Sequence, residues 1–204
     1  MPDRAPIWRG SAPLLLASTS ETRRRLLARA GLSVDTQAPH VDERAVAGTA
    51  ADPGETACRL AREKALAVSR LRPGRLVLGA DQTLACDGQA FHKPSDRAAA
   101  REQLFALSGR THVLHSALAL AEAGTLIHTD VDDARMTMRA LDGEAIDSYL
   151  EAAGDAALRS VGCYQVEGLG IHLFQRIEGD HSTILGLPLI PLLAALRKRG
   201  LLAF

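Results

Sequence analysis

Asp81 closes an apolar run, Leu76-Val77-Leu78-Gly79-Ala80, and Lys93 comes twelve residues later in His92-Lys93-Pro94. The run reads as a buried strand. A carboxylate at the end of such a strand is held rigidly at the sheet edge, where open α/β sheets place their ligands. Between the two lies Asp87-Gly88, a hairpin-type turn signal. The chain is therefore expected to turn back there and to return Lys93 towards Asp81. An acid and an amine brought together in this way suit activation of a water beside a phosphate.

Composition singles out the lysines. Lysine and arginine total 24, yet only Lys64, Lys93 and Lys198 are lysine. Where a compact, titratable ammonium is required, arginine is not equivalent. A lysine is thus an unusual choice in this chain. Taken alone, Lys64 still reads as a surface lysine, and Asp42-Glu43 as solvated loop.

The elements that must position these groups can be read in order. Residues 1–13 read as an exposed leader, and 14–204 as one domain. Leu14-Leu15-Leu16-Ala17 reads as a first buried strand. Glu21 to Ala30 follows as a helix, with Ser20 as N-cap and Gly31 just past its end. A strand, the turn Ser18-Thr19-Ser20 and a helix start carrying Arg23 and Arg24 make either an anion site or an ordinary turn with solvated arginines. Ser33–Ala38 can form a second strand, and Val41-Asp42-Glu43 an exposed loop. Gly54 to about Leu71 is helical by its apolar spacing and carries Lys64. Ser95 is expected to cap a helix to about Leu107. Thr111–Ala121 and Thr125–Arg139 read as long strands, the second bearing Asp130, Asp132 and Asp133 on the polar face of an edge strand. Asp142 starts a helix to about Ala153. Gly162 to Gly170 reads as a bent, glycine-rich segment, Ile171–Ile177 as a strand, Glu178–Thr183 as a loop and Pro188 to Arg199 as the last helix.

Whole-chain properties narrow the classes. In 204 residues, 47% are hydrophobic and only 3% aromatic, so aliphatic side chains must fill the core. The formal net charge is zero, which argues against broad attraction to nucleic acid or membrane. No apolar run reaches the roughly 20 residues of a membrane span. A secretory h-region is missing near the start. Cys58, Cys86 and Cys163 are widely spaced and suggest neither a metal site nor a disulfide framework. The expectation is a cytoplasmic protein with reduced thiols.

Taken together, the segments resemble the Maf family of nucleoside triphosphate pyrophosphatases. The matching pieces are Leu16-Ala17-Ser18-Thr19-Ser20 with Arg23-Arg24 and Leu26-Leu27; Val41-Asp42-Glu43; Ala61-Arg62-Glu63-Lys64-Ala65; Gly79-Ala80-Asp81-Gln82; Lys93-Pro94; Leu107-Ser108-Gly109; and Glu167-Gly168 through Ile177-Glu178-Gly179-Asp180 to Gly186-Leu187-Pro188-Leu189. Each is weak alone, and their order along the chain makes them specific. The resemblance implies an α/β fold of the Maf/ITPase-like kind: two lobes around a cleft, with a mixed twisted sheet flanked by helices. It implies hydrolysis of a nucleoside triphosphate to the monophosphate and pyrophosphate, a divalent cation (Mg²⁺ or Mn²⁺) and a homodimer. By position Asp81 matches the family's acid-base residue. Ser18, Arg23, Glu43, Lys64 and Lys93 match its other polar site positions, with Glu43 and Asp81 as the metal pair.

The resemblance also bears on the base. One branch of the family acts on dTTP and UTP, with Arg, Thr and Gln at three selectivity positions. This chain has Thr22, Gln82 and Glu167 there. Gln82, Glu167 and the run Leu173-Phe174-Gln175-Arg176 look like the branch acting on 7-methyl-GTP. Thr22 matches neither, since the methyl-GTP branch carries a tryptophan, the best cation–π partner. An ionised Glu167 is acceptor-only and suits guanine's adjacent N1–H and N2–H₂ donors. If buried, it would favour guanine by about 1–3 kcal/mol. The expected substrate is 7-methyl-GTP, in nucleotide-pool house-cleaning. A pyrimidine triphosphate is the alternative of the same fold, and a nucleotide-binding regulator of cell division the alternative of another class.

Overall fold

Four consecutive apolar residues need cover on both faces, which a sheet between helices provides. In the computed structural model, which describes residues 7–48 and 52–204, they form β1 (Leu14–Ala17), buried throughout. There follow α1 (Glu21–Arg29), β2 (Val34–Thr36), α2 (Glu43–Ala47), α3 (Pro53–Leu71), β3 (Val77–Cys86), β4 (Gln89–Phe91), α4 (Arg97–Leu107), β5 (Thr111–Glu122), β6 (Thr125–Met138) and α5 (Gly143–Ala153). Short 3₁₀ turns then lead to β7 (Phe174–Glu178), α6 (His181–Ile184) and α7 (Leu189–Lys198). The seven strands make one mixed sheet in the order β2-β1-β3-β5-β6-β7, with β4 paired to β3. β1 runs parallel to β2 and β3, whereas the β3–β4 and β6–β7 pairs are antiparallel. This is the α/β architecture expected, a mixed sheet flanked by helices. Among the described residues no helix is long and apolar enough to cross a membrane.

The contacts divide the chain into two compact units, neither continuous in sequence. The first comprises Met1–Gln82, Ser116–Asp132 and Leu185–Phe204. Its core is almost wholly aliphatic, with Leu14, Leu16, Leu27, Leu78, Leu118, Leu192 and Leu196 in one cluster. Trp8 belongs to that cluster, pairs by an isolated bridge with Leu202 and donates its Nε1–H to the Ala12 carbonyl. Packing is therefore already established at Trp8, ahead of Leu14. An indole offers too much apolar area to leave in water once its single donor is satisfied. The rest of the expected leader, residues 1–6, lies outside the described residues.

The second unit comprises Thr83–His115 and Asp133–Ile184. Its core gathers Leu84, Leu104, Leu107, Met136, Met138 and Tyr164. His112 is fully buried there, bonded through Nε2 to the Tyr164 hydroxyl at 2.6 Å, with Tyr164 packed edge-on to Phe174.

Several local expectations shift. β3 does not end at Asp81 but continues to Cys86, because its second half pairs with β4, Leu84 opposite Phe91. The Asp87-Gly88 turn is where expected, both residues with positive φ. Asp96, not Ser95, caps α4, accepting from Ala99 N. Asp42 caps α2, so the expected loop at Glu43 is a helix start. Strand β7 begins only at Phe174, after a 3₁₀ turn over Leu169–Leu173. His181 to Thr183, read as the end of a loop, form the short helix α6 together with Ile184. β6 lies between β5 and β7 rather than at the sheet edge, and its Asp133 pairs with His115.

Candidate active site

The site is built by a close approach of α3 to β3. Helix α3 buries Ala57, Leu60, Ala61, Lys64, Ala65 and Val68, one face at helical spacing. Its buried alanines meet Ala117, Ala119 and Ala121 of β5 in a seam of small side chains, with Leu66 and Leu126 packed against it. Such an interface lets backbone come near backbone. At Gly79 a Cβ would stand 2.1 Å from the Ala61 carbonyl oxygen and 2.6 Å from the Ala65 nitrogen. Only glycine fits there.

Alternation along β3 then puts Asp81 on the same face as Gly79. Lys64, one residue before Ala65, reaches it. The Lys64 ammonium donates to Asp81 Oδ1 at 2.5 Å and lies 2.6 Å from Glu43 Oε1. Lys64 is only 6% exposed and Asp81 only 8%. Glu43 arrives from the first turn of α2 and keeps more than half of its side chain in solvent. A lysine that reads as a surface residue is thus the buried hub between two carboxylates. Taking the Lys64 and Asp81 charges out of water is costly unless they are paired, so these two are held against each other while Glu43 meets Lys64 from the solvent side.

A second network anchors the far end. Ser20 caps α1, accepting from Arg23 N, and Ser18 Oγ accepts from Ser20 N at 3.1 Å. The Arg23 guanidinium donates through Nε to the Gly186 carbonyl at 2.8 Å, and through Nη1 to the Ala80 carbonyl at 3.0 Å. It also reaches Ser18 Oγ at 3.5 Å. Arg23 therefore ties the turn after β1, the residue before Asp81 and the segment before α7 together. Burial pulls its guanidinium below the usual basicity, and the negative charges of Asp81 and Glu43 oppose that shift. Thr22, beside it on α1, is half-buried.

Gln82 follows Asp81 and donates from Nε2 to Ser116 Oγ at 2.9 Å. Ser116, which is fully buried, was not among the expected site residues. Its signal is a lone hydroxyl at the head of the apolar run Ala117–Ala121, where a polar atom must find a partner. Gly79 and Gly186 were quoted only as parts of motifs. A glycine inside a buried strand is itself a sign of close backbone approach.

The first unit thus brings together Ser18, Arg23, Glu43, Lys64, Asp81 and Gln82. Lys93 and Glu167 belong to the second unit. Lys93 lies just past β4 with its side chain exposed. Glu167 is exposed in the turn before the Leu169–Leu173 3₁₀ segment, so the burial on which its full preference for guanine depends is not met within its own unit. The three cysteines are free thiols.

A family profile described as Maf-like protein matches residues 13–199. The nucleoside triphosphate pyrophosphatase of Nitrobacter winogradskyi is 59% identical over 199 residues, covering 97% of this chain and 98% of that protein. The 7-methyl-GTP pyrophosphatase of Brucella abortus is 50% identical over 189 residues, covering 91% and 95%. The Ham1 protein of Staphylococcus aureus superposes with a TM-score of 0.44 at 15% identity over 64% of this chain and 72% of that one, a likeness too loose to bear on the site.

Proposed function

The chain belongs to the Maf family of nucleoside triphosphate pyrophosphatases, and we propose that its substrate is 7-methyl-GTP, cleaved to the monophosphate and pyrophosphate. The observation that carries the chemistry is the buried Lys64 ammonium shared between Asp81 and Glu43. Oδ1 of Asp81 is held by Lys64, and its other oxygen takes the proton of the attacking water. Hydrolysis at the α-phosphorus then expels pyrophosphate.

Positive charge near the phosphates is what this reaction needs most. Lys64 and Arg23 supply it from the first unit, and Lys93 is assigned the same task from the second. Ser18 and the open N–H groups at the start of α1 receive phosphate oxygens. Two carboxylates around one ammonium leave a surplus negative charge, and their hard oxygens suit Mg²⁺ or Mn²⁺. Among the described residues no group of three or more His, Cys, Asp or Glu side chains could hold a metal. Asp81 and Glu43 would therefore hold the cation with the substrate phosphates completing its shell, as is usual for Mg²⁺ at nucleotides. The cation would offset phosphate charge in the transition state.

The choice of base rests on Gln82 and Glu167, and on the printed name of the Brucella relative. Others at 53–59% identity carry only the general name. Pyrophosphate release with Mg²⁺ or Mn²⁺ across 7-methyl-GTP, GTP, UTP, dTTP, CTP and ATP tests it. The expected result is the highest kcat/KM with 7-methyl-GTP. A preference for UTP or dTTP would overturn the substrate, and no turnover of any of them would favour a nucleotide-binding regulator.

A further inference from the structure

We infer that Gln103 is a positioning residue for Lys93: its carboxamide fixes the stretch of backbone from which that lysine projects. The inference rests on reading Lys93 as a ligand of the triphosphate, and every residue it uses lies in the second unit.

A lysine carries its charge on a flexible four-carbon stem, so it places that charge well only where its backbone is held. Lys93 lies in the short link between β4 and α4, outside both elements. The link nevertheless has fixed points on each side of it. Ahead of it, Phe91 is buried and pairs with Leu84. Behind it, Pro94 is buried, while His92 and Lys93 are exposed. The proline ring also biases Lys93 towards extended backbone. The third fixed point is the His92 carbonyl, which accepts from Gln103 Nε2 at 2.9 Å. That carbonyl belongs to the peptide group joining His92 to Lys93, so the bond acts on the lysine's own backbone.

Gln103 is itself held at both ends. It stands half-buried on α4, beside the buried face of Ala100, Leu104 and Leu107. Its Oε1 accepts from the Cys163 thiol at 3.4 Å. Cys163 is fully buried, and burial pushes its thiol up to about 12, so the sulfur keeps the proton it donates. The Cys163 carbonyl in turn accepts from the Tyr149 hydroxyl at 3.0 Å. The direction of the carboxamide follows from its partners. A backbone carbonyl can only accept, so the amino end must face His92, and the oxygen is left for the thiol. The chain of bonds thus runs from the core of the unit out to the peptide before Lys93. Its last bond lies at the surface, where it adds modestly to stability. What it decides is where Lys93 stands.

The test measures pyrophosphate release with Mg²⁺ from whichever triphosphate the protein cleaves best, so the outcome does not depend on the base. Gln103→Glu keeps the size of the side chain but sets an oxygen against the His92 carbonyl. Gln103→Met removes the bond without adding a charge. Each is expected to lower kcat/KM about tenfold, the scale of one hydrogen bond, with Tm close to that of the wild type. In a Lys93→Ala background the same changes should leave kcat/KM where Lys93→Ala has put it, because the group they position is gone. Equal losses in both backgrounds would make Gln103 a merely structural residue and overturn the inference. So would wild-type kcat/KM in both Gln103 variants beside a loss in Lys93→Ala, which leaves Lys93 as a phosphate ligand. Wild-type kcat/KM in Lys93→Ala itself overturns the reading of Lys93, and the inference with it.

Discussion

Replacing Gly79 by alanine adds one methyl group where the structure has no room for it. The new carbon would lie 2.1 Å from the Ala61 carbonyl oxygen, 2.6 Å from the Ala65 nitrogen and 2.9 Å from the Ala65 Cβ. Ordinary contact between such atoms begins at about 3.5 Å. The nearest two are backbone atoms of α3, so no side chain can swing away. Helix and strand must separate by about 1 Å, against an alanine interface that has no slack. Overpacking of this kind costs about 3 kcal/mol, or roughly 6–12 °C in Tm for a chain of this size. The same displacement draws Lys64 away from Asp81, whose 2.5 Å contact depends on that approach. A misplacement of about 1 Å at reacting groups lowers turnover by about a hundredfold. Thermal unfolding of Gly79→Ala, with pyrophosphate release under saturating nucleotide and Mg²⁺, reads both effects. Wild-type Tm together with wild-type turnover would refute the idea that this contact builds the site.

Three further outcomes are expected. Lys64→Met leaves Asp81 buried without its cation, which costs about 3 kcal/mol in urea unfolding and abolishes turnover; an unchanged midpoint would contradict the buried Lys64–Asp81 pair. Arg23→Lys keeps the charge but cannot reach both the Gly186 and Ala80 carbonyls. It should lose about 2 kcal/mol of stability and lower kcat more than it raises KM, whereas a pure phosphate clamp would raise KM with stability intact. In the second unit, burial lowers the His112 imidazole from 6.5 to about 4. The folded protein binds no proton there between those values while the unfolded chain does, so the stability this histidine contributes is complete above pH 6.5. It is lost as pH falls to 4, by about 3 kcal/mol. His112→Gln should flatten that part of the pH profile of the urea midpoint; an identical slope in both proteins would exclude His112 as its source.

Much of the framework was legible because it depends on patterns one residue type can carry. The buried run Leu14–Ala17, the caps at Ser20 and Asp142 and the Asp87-Gly88 turn all follow from local physics, and each is where the pattern puts it. Asp81 and Lys64 could be singled out by type and neighbours. What could not be read is their meeting. It depends on Gly79 and an alanine seam contributed by α3 and β5, segments distant in sequence. The burial of Lys64 is invisible in a helix that carries Arg59, Arg62 and Glu63 just before it. Trp8 and the cap at Asp42 were missed because a short segment with weak periodicity looks like loop whether or not it packs. Ser116 was missed because a single serine in a strand has no partner until the sheet places Gln82 beside it.

The central claim is that Asp81 acts as the base in the Lys64–Asp81–Glu43 triad. Asp81→Asn keeps the size of the side chain and an oxygen for Lys64, and removes the carboxylate. Pyrophosphate release from 7-methyl-GTP by this variant, measured beside its Tm, is expected to fall by at least a hundredfold while the protein stays folded. Release at close to the wild-type rate would contradict the claim.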